Sequence, residues 1–253
     1  MNEARAFEEF SEEFIEYGIK ESGLDQYIES GELLELFDDP EFQDTEYVYW
    51  AEPPFSFVTL TKQQNGLKYN VSEVELQYPK IPSQVASYID FGLDEKHSYP
   101  DIVNLVKGIS QLKIDEDLTD LEHCVVSYYL QRSESPYGKI YPLYKDQYIE
   151  DLSMSGPDSP VFVVHKEYGD MQTNIHFDEG ECDVFVSELA NRAGEVITDA
   201  NPLVDATLVD GSRVQLAMGL EPNNTTSFTI RFFRKLDFTP TNLIKSGTYR
   251  GAI

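Results

Sequence analysis

The sequence predicts an α+β fold: an N-terminal helical and β-hairpin unit, then a small α+β domain with an antiparallel sheet. Three observations carry this. Apolar residues recur at helical spacing in several stretches, with acids on the opposite faces. Short runs of β-branched and aromatic residues lie between them. Gln63-Gln64-Asn65-Gly66 separates two such runs, and Asn-Gly is a strong hairpin signal.

Phe7, Phe10, Phe14 and Tyr17 predict a helix over 4–20, with glutamates filling the other face. Leu24, Tyr27, Ile28, Leu33, Leu34 and Phe37 give a second amphipathic stretch over 24–37, interrupted at Gly31 and ended by Asp38-Asp39-Pro40. The period then changes. Phe55 to Thr61 reads as a strand, and Leu67 to Val74 as its return. Pro79 and Pro82 follow in a polar stretch. Ile102, Leu105, Val106 and Ile109 mark another helix. The next starts at Thr119, with Glu122 completing a capping box and Leu121, Val125 and Tyr128 on its face. The loop-like SESPYG, residues 133–138, divides the chain into 1–133 and 134–253.

In the second unit, Ile149 to Met154, Val161 to His165 and Met171 to Phe177 read as strands, with Gly169-Asp170 a turn. Residues 179–193 form a helix with Cys182, Phe185, Val186, Leu189 and Ala190 on one stripe, Asp178 as N-cap and Gly194 as C′. Three short strands follow at Asp205 to Leu208, Ser212 to Met218 and Ser227 to Phe233, then a helical turn from Pro240 to Lys245.

The composition is that of a folding chain, 41% hydrophobic, but its 46 acids against 19 bases give a net charge of -27. A polyanion or an anionic membrane surface would be repelled, so nucleic acid and direct membrane insertion are not expected. A basic partner or a salty cytoplasm both fit such a surface. Residues 1–50 carry 16 acids and only Arg5 and Lys20. No run of 18 apolar residues occurs, and the start lacks the basic and apolar segments of a signal peptide, so a cytoplasmic place is expected. Cys124 and Cys182 fall on apolar helix positions and read as buried free thiols.

No phosphate-binding loop is present. Gly138-Lys139 is followed by Ile140, and Ser133 stands where its first glycine would be, so no ATPase activity is expected of this chain alone. His97, His123, His165 and His176 are scattered. His165 and His176 lie on neighbouring strand segments, but nothing beside them has metal-ligand spacing. No nucleophile elbow occurs. Neither a catalytic set nor a metal site is expected.

The segment YGKIYPLYKDQYIEDLSMSGPDSPVFVVHKEYGDMQTNIHFDEGE, residues 137–181, resembles the pre-catalytic domain of the type II/type IV secretion ATPase superfamily. The resemblance continues through NPLVDATLVDGSRVQ at 201–215 and SFTIRFF at 227–233, and is strongest to the archaeal branch that drives archaella, adhesive pili and related systems. Residues 1–136 match loosely, mainly through EPPFSFVTL at 52–60. Where the family commonly has LPDG, this chain has Leu208-Val209-Asp210-Gly211. The resemblance implies an N-terminal region without catalytic function in a hexameric motor. Its partners would be its own RecA-like ATPase domain, expected beyond SGTYRGAI, neighbouring subunits of the ring, and a membrane platform protein at the cytosolic face. ATP would be bound only with that further domain. A stand-alone acidic adaptor of a secretion or pilus system, keeping the fold without the motor, is the alternative.

Two groups of residues are candidates for sites. In Ser212 to Met218, Val214, Leu216 and Met218 alternate with Arg213, Gln215 and Ala217. In Ser227 to Phe233, Phe228, Ile230 and Phe232 alternate with Thr229, Arg231 and Phe233. Pairing with an even residue sum places Arg213 and Arg231 on one face, and a one-residue slip separates them. Two guanidinium groups together suit an anion. The resemblance implies that the anion is the terminal phosphate of ATP, since arginines at the matching DGSR and TIR positions reach it. Arg234 lies at the strand end beyond the motif. Pairing with Asp205, Asp210 or another local acid is the bland alternative. The second group is the stripe Phe7, Phe10, Phe14 and Tyr17, either docking a partner such as the platform protein or packing against 24–37.

Overall fold

The computed structural model describes residues 12–37, 45–64, 66–77, 79–87, 98–113, 117–198, 200–219 and 225–233. The elements are α1 (Glu12–Ser22), α2 (Ser30–Leu34), β1 (Thr45–Glu52), β2 (Ser56–Gln63), β3 (Gly66–Glu73), α3 (Ile81–Ala86), α4 (Tyr99–Lys113) and α5 (Asp120–Glu134). A 3-10 turn (Gly138–Ile140) leads into α6 (Tyr141–Lys145). Then come β4 (Ile149–Met154), β5 (Pro160–His165), β6 (Gly169–His176), α7 (Glu179–Arg192), β7 (Leu203–Thr207), β8 (Arg213–Ala217) and β9 (Ser227–Arg231). The fold is α+β, as the alternation of periods predicts.

Local chemistry accounts for many boundaries. Thr119 and Asp178 each accept from the N3 backbone N–H of their helix, while Glu122 and Glu181 reach back to the cap, so both α5 and α7 open on full capping boxes. Gly194 closes α7 at φ 79, where the Glu195 N–H donates to the Ala190 carbonyl at 2.9 Å. Helix α1 is described from Glu12, and within the amphipathic stretch 24–37 the helix is short, Ser30–Leu34, and runs through Gly31 instead of breaking there. Helix α5 runs through Ser133 and Glu134 and the 3-10 turn starts at Gly138, so of the expected loop only Ser135 to Tyr137 lie between them.

All strands form one nine-stranded sheet in the order β1-β2-β3-β6-β5-β4-β9-β8-β7. Every neighbouring pair is antiparallel except β3 and β6, which run parallel with Lys68 opposite Gln172 and Tyr69 opposite Thr173. The division expected at 133/134 therefore falls within a single sheet. Beyond the two register pairs, the Asn174 side chain acts as a further peptide group. Its Oδ1 accepts from the Val71 N–H and its Nδ2 donates to the Val71 carbonyl, both at 2.9 Å. Without this junction, β3 and β6 would each present a row of unpaired backbone groups. One hydrophobic core also spans the division, with Val58, Leu60 and Tyr69 in the same cluster as Val163, Val186 and Ile230.

β1 and β2 are covered on both faces. Val48 and Phe57 pack with Phe14, Ile15, Leu33 and the α5 residues Cys124 and Tyr128. Val58 and Leu60, pointing the other way, join the core beneath the 3-10 turn and α6. This explains the unbroken burial from Ser56 to Leu60. Across the rest of the sheet only one face is buried: α7 sends Phe185, Val186 and Leu189 into the cluster with Val214, Leu216, Phe228 and Ile230. The alternation expected of β8 and β9 holds, with Val214, Leu216, Phe228 and Ile230 inward.

Candidate functional site

On the outward face of β8 and β9, Arg213 and Arg231 stand directly opposite each other in register. The pairs in this ladder, Val214 with Ile230 and Leu216 with Phe228, share the even residue sum, so parity brings the arginines together. Both are exposed, with side chains 65% and 75% accessible, enough for a ligand to reach them. Like charges directly opposite on a sheet repel. Each guanidinium is accordingly held from the far side. Arg213 donates through Nε and Nη2 to Asp205 of β7, at 3.0 and 3.1 Å. Arg231 donates through the same pair of nitrogens to Asp151 of β4, at 2.8 and 3.2 Å. The order across the sheet is thus Asp151, Arg231, Arg213, Asp205 on consecutive strands β4, β9, β8 and β7.

The electrostatics follow. The hydrogen bond from Arg213 holds the Asp205 carboxyl below the usual carboxylate range. The hydrogen bond to Asp205 raises the Arg213 guanidinium, and the facing Arg231 works against that. The bond to Asp151 raises Arg231 likewise. Two of the five N–H donors of each guanidinium lie in its bidentate pair, so three on each point outside it. Such a pair of forks suits phosphate oxygens.

The turn before β8 has a fixed shape. Asp210 accepts from the Ser212 N–H at 2.9 Å, the Ser212 hydroxyl at 3.0 Å and the Tyr137 phenol at 2.5 Å. The Phe233 N–H donates to the Ser212 Oγ. Gly211 sits at φ 90, and a Cβ there would meet the Phe233 ring at 3.1 Å. Asp210 is therefore a brace for the turn, not the partner of Arg213. Tyr137 and Tyr144 stack at 4.2 Å beside Phe232, seating the turn on the start of α6.

A second polar cluster, on the buried side where β1, β3 and β5 meet α6, was not anticipated. Asp146 is 1% exposed, and its Oδ2 accepts from the hydroxyls of Tyr49 and Tyr69 at 2.8 and 2.7 Å. Its Oδ1 accepts from the Tyr148 N–H at 2.8 Å. His165 Nδ1 accepts from the N–H groups of Glu167 and Tyr168, which places its proton on Nε2, donating to Tyr49 Oη at 3.3 Å. Burial lowers the His165 pKa to about 4. Burial, then the charge of Asp146, raises both tyrosines well above their ordinary value. The cluster is a closed hydrogen-bonded network with each group in its uncharged or acceptor form.

The remaining candidates separate. Phe14 is buried, stacked on Trp50 with centroids 4.4 Å apart, so it packs in the core and offers no docking surface. Tyr17 is half exposed. Phe7, Phe10, Arg234 and the turn at 240–245 lie outside the described residues. His165 and His176 do not meet, because His176 faces Pro160 at the other end of β5. No group of three or more His, Cys, Asp or Glu that could hold a metal ion occurs among the described residues. Cys124 and Cys182 are buried free thiols, and burial pushes both up to about 12. No helix among the described residues is long and apolar enough to cross a membrane.

No family model matches the chain. It is similar to three uncharacterized proteins of Methanocaldococcus jannaschii. Identity is 36% over 152 residues with MJ1288, covering 58% of this chain and 59% of that protein. It is 39% over 124 residues with MJ0900, covering 48% and 22%, and 36% over 103 residues with MJ0781, covering 41% and 14%. The chain thus spans less than two thirds of each of these relatives. Among solved structures, the VirB11 ATPase of the Brucella suis type IV secretion system, in complex with sulphate, aligns with a TM-score of 0.38 and 19% identity, over 47% of this chain and 36% of that one.

Proposed function

We propose that this chain is the non-catalytic N-terminal region of a secretion, pilus or archaellum motor ATPase working at the cytosolic face of a membrane. In this reading Arg213 and Arg231 receive the terminal phosphates of ATP held by a following RecA-like domain, Arg234 assists them, and neighbouring subunits complete a hexamer. A membrane platform protein is the mechanical partner. The reading is supported by the resemblance of 137–181, 201–215 and 227–233 to the pre-catalytic domain of those motors. The observation that carries it is the in-register pair Arg213 and Arg231 on an exposed face of an otherwise acidic protein.

The test is ATP turnover by the full-length protein. Arg213→Ala and Arg231→Ala lower turnover while leaving the fold intact. Unchanged turnover in both single variants and in the double variant overturns the role. A stand-alone acidic adaptor is the second reading, favoured by the fact that both arginines already hold aspartates. A phosphate-binding loop encoded downstream of Ile253 supports the first reading, and a stop codon there the second.

A further inference from the structure

Four charges lie side by side on exposed sheet, two arginines at the centre and an acid on either flank. Asp205 and Asp151 draw Arg213 and Arg231 in opposite directions, toward β7 and β4. A ligand that takes both guanidinium groups by their Nε–Nη2 forks must draw at least one of them out of its bidentate pair. That same ligand approaches beside two carboxylates and is repelled by them. A monoanion brings no more charge than the single aspartate it would displace. A phosphate carrying two or more charges brings more, with oxygens enough for both forks.

We propose that Asp151 and Asp205 are placeholder carboxylates: they hold the two arginines apart at rest, and a multiply charged phosphate displaces them by drawing the guanidinium groups together. This rests on the reading of Arg213 and Arg231 as the phosphate receiver, and adds the regulation and ligand class of that site. The two pairs are suited to exchange. Exposed ion pairs are weak, so a phosphate of higher charge competes with them on favourable terms. Neither aspartate braces a turn as Asp210 does: the Asp151 carboxylate accepts from Arg231, and that of Asp205 from Arg213 and from Gln215, an exposed residue of β8. Replacing either acid therefore releases an arginine without unpinning a loop.

The experiment is calorimetric titration of the 253-residue chain with inorganic triphosphate at low ionic strength. Four proteins are compared: wild type, Asp151→Asn with Asp205→Asn, Arg213→Ala with Arg231→Ala, and a charge control, Glu188→Gln with Glu195→Gln, whose exposed acids lie away from the ladder. Matched circular dichroism shows that each is folded. The double asparagine variant is expected to bind triphosphate about threefold or more tighter than the charge control, and the double alanine variant to lose binding. If the alanine variant loses binding but the asparagine variant is no tighter than the control, the arginines receive phosphate and the placeholder role is overturned. If triphosphate binds none of the four, or binds the alanine variant as well as wild type, the phosphate-receiving reading itself fails, and the placeholder role with it.

Discussion

Arg213 and Arg231 face each other directly across two antiparallel strands, yet each reaches away from the other to an aspartate on the next strand out. Both guanidinium groups stay exposed in this arrangement. On the proposed motor reading, either arginine to alanine in the full-length protein is expected to cut ATP turnover by about tenfold or more, on the scale of removing a preorganised donor from developing phosphate charge. Thermal melts of the same variants are expected to superimpose on wild type, since both ion pairs are exposed. Steady-state turnover and melting curves on one preparation check both halves.

The buried acid of the opposite face behaves differently. Asp146→Ala leaves the hydroxyls of Tyr49 and Tyr69 and the N–H of Tyr148 without their acceptor. Urea denaturation is expected to show a loss of about 3 kcal/mol. Tyr49→Phe and Tyr69→Phe, which each remove one hydroxyl, are expected to cost about 1 kcal/mol apiece.

Acidification should be felt through His165. Its folded pKa is lowered to about 4, so between the ordinary value and pH 4 the unfolded chain binds a proton that the folded chain refuses. Stability therefore falls as pH drops from about 6.5 to about 4, by roughly 2–3 kcal/mol from this residue. Protonation would place an N–H on Nδ1, against the N–H groups of Glu167 and Tyr168. His165→Asn keeps an acceptor there without the titration. Its denaturation midpoints across this pH range are expected to follow a flatter slope than wild type.

The junction of β3 and β6 depends on one side chain. Asn174→Ala removes both hydrogen bonds to Val71 and is expected to cost about 1–2 kcal/mol. Amide exchange of Val71 should rise more than that of Val163, which lies well inside the sheet.

Gly18 is a steric test of the first helix. A Cβ there would lie 2.5 to 2.8 Å from the Trp50 ring, which is itself fixed by stacking on Phe14. Gly18→Ala is expected to destabilise the protein by about 2 kcal/mol in urea, despite alanine's higher helix propensity.

Much of this protein was determined locally and was legible in its sequence. The capping boxes of α5 and α7, the hairpin of β2 and β3 and the glycine that ends α7 depend on residues a few positions apart. Period two in β8 and β9 placed Arg213 and Arg231 on one face once the register was even. Strand β1 was missed because its burial does not alternate: aromatic Tyr47, Tyr49 and Trp50 are partly buried on both faces. What only the tertiary structure decided is non-local. Asp151 meets Arg231 from 80 residues away, Tyr49 meets His165 from 116, and Asn174 ties the two halves of the sheet across 103. Periodicity assigns a residue to a face, but not which strand will lie beside it. Strand order is settled by burying both faces of β2 at once and by satisfying the backbone edges of β3 and β6. The acids that hold the arginines apart, and the boundary that the sheet runs across, were set at that level.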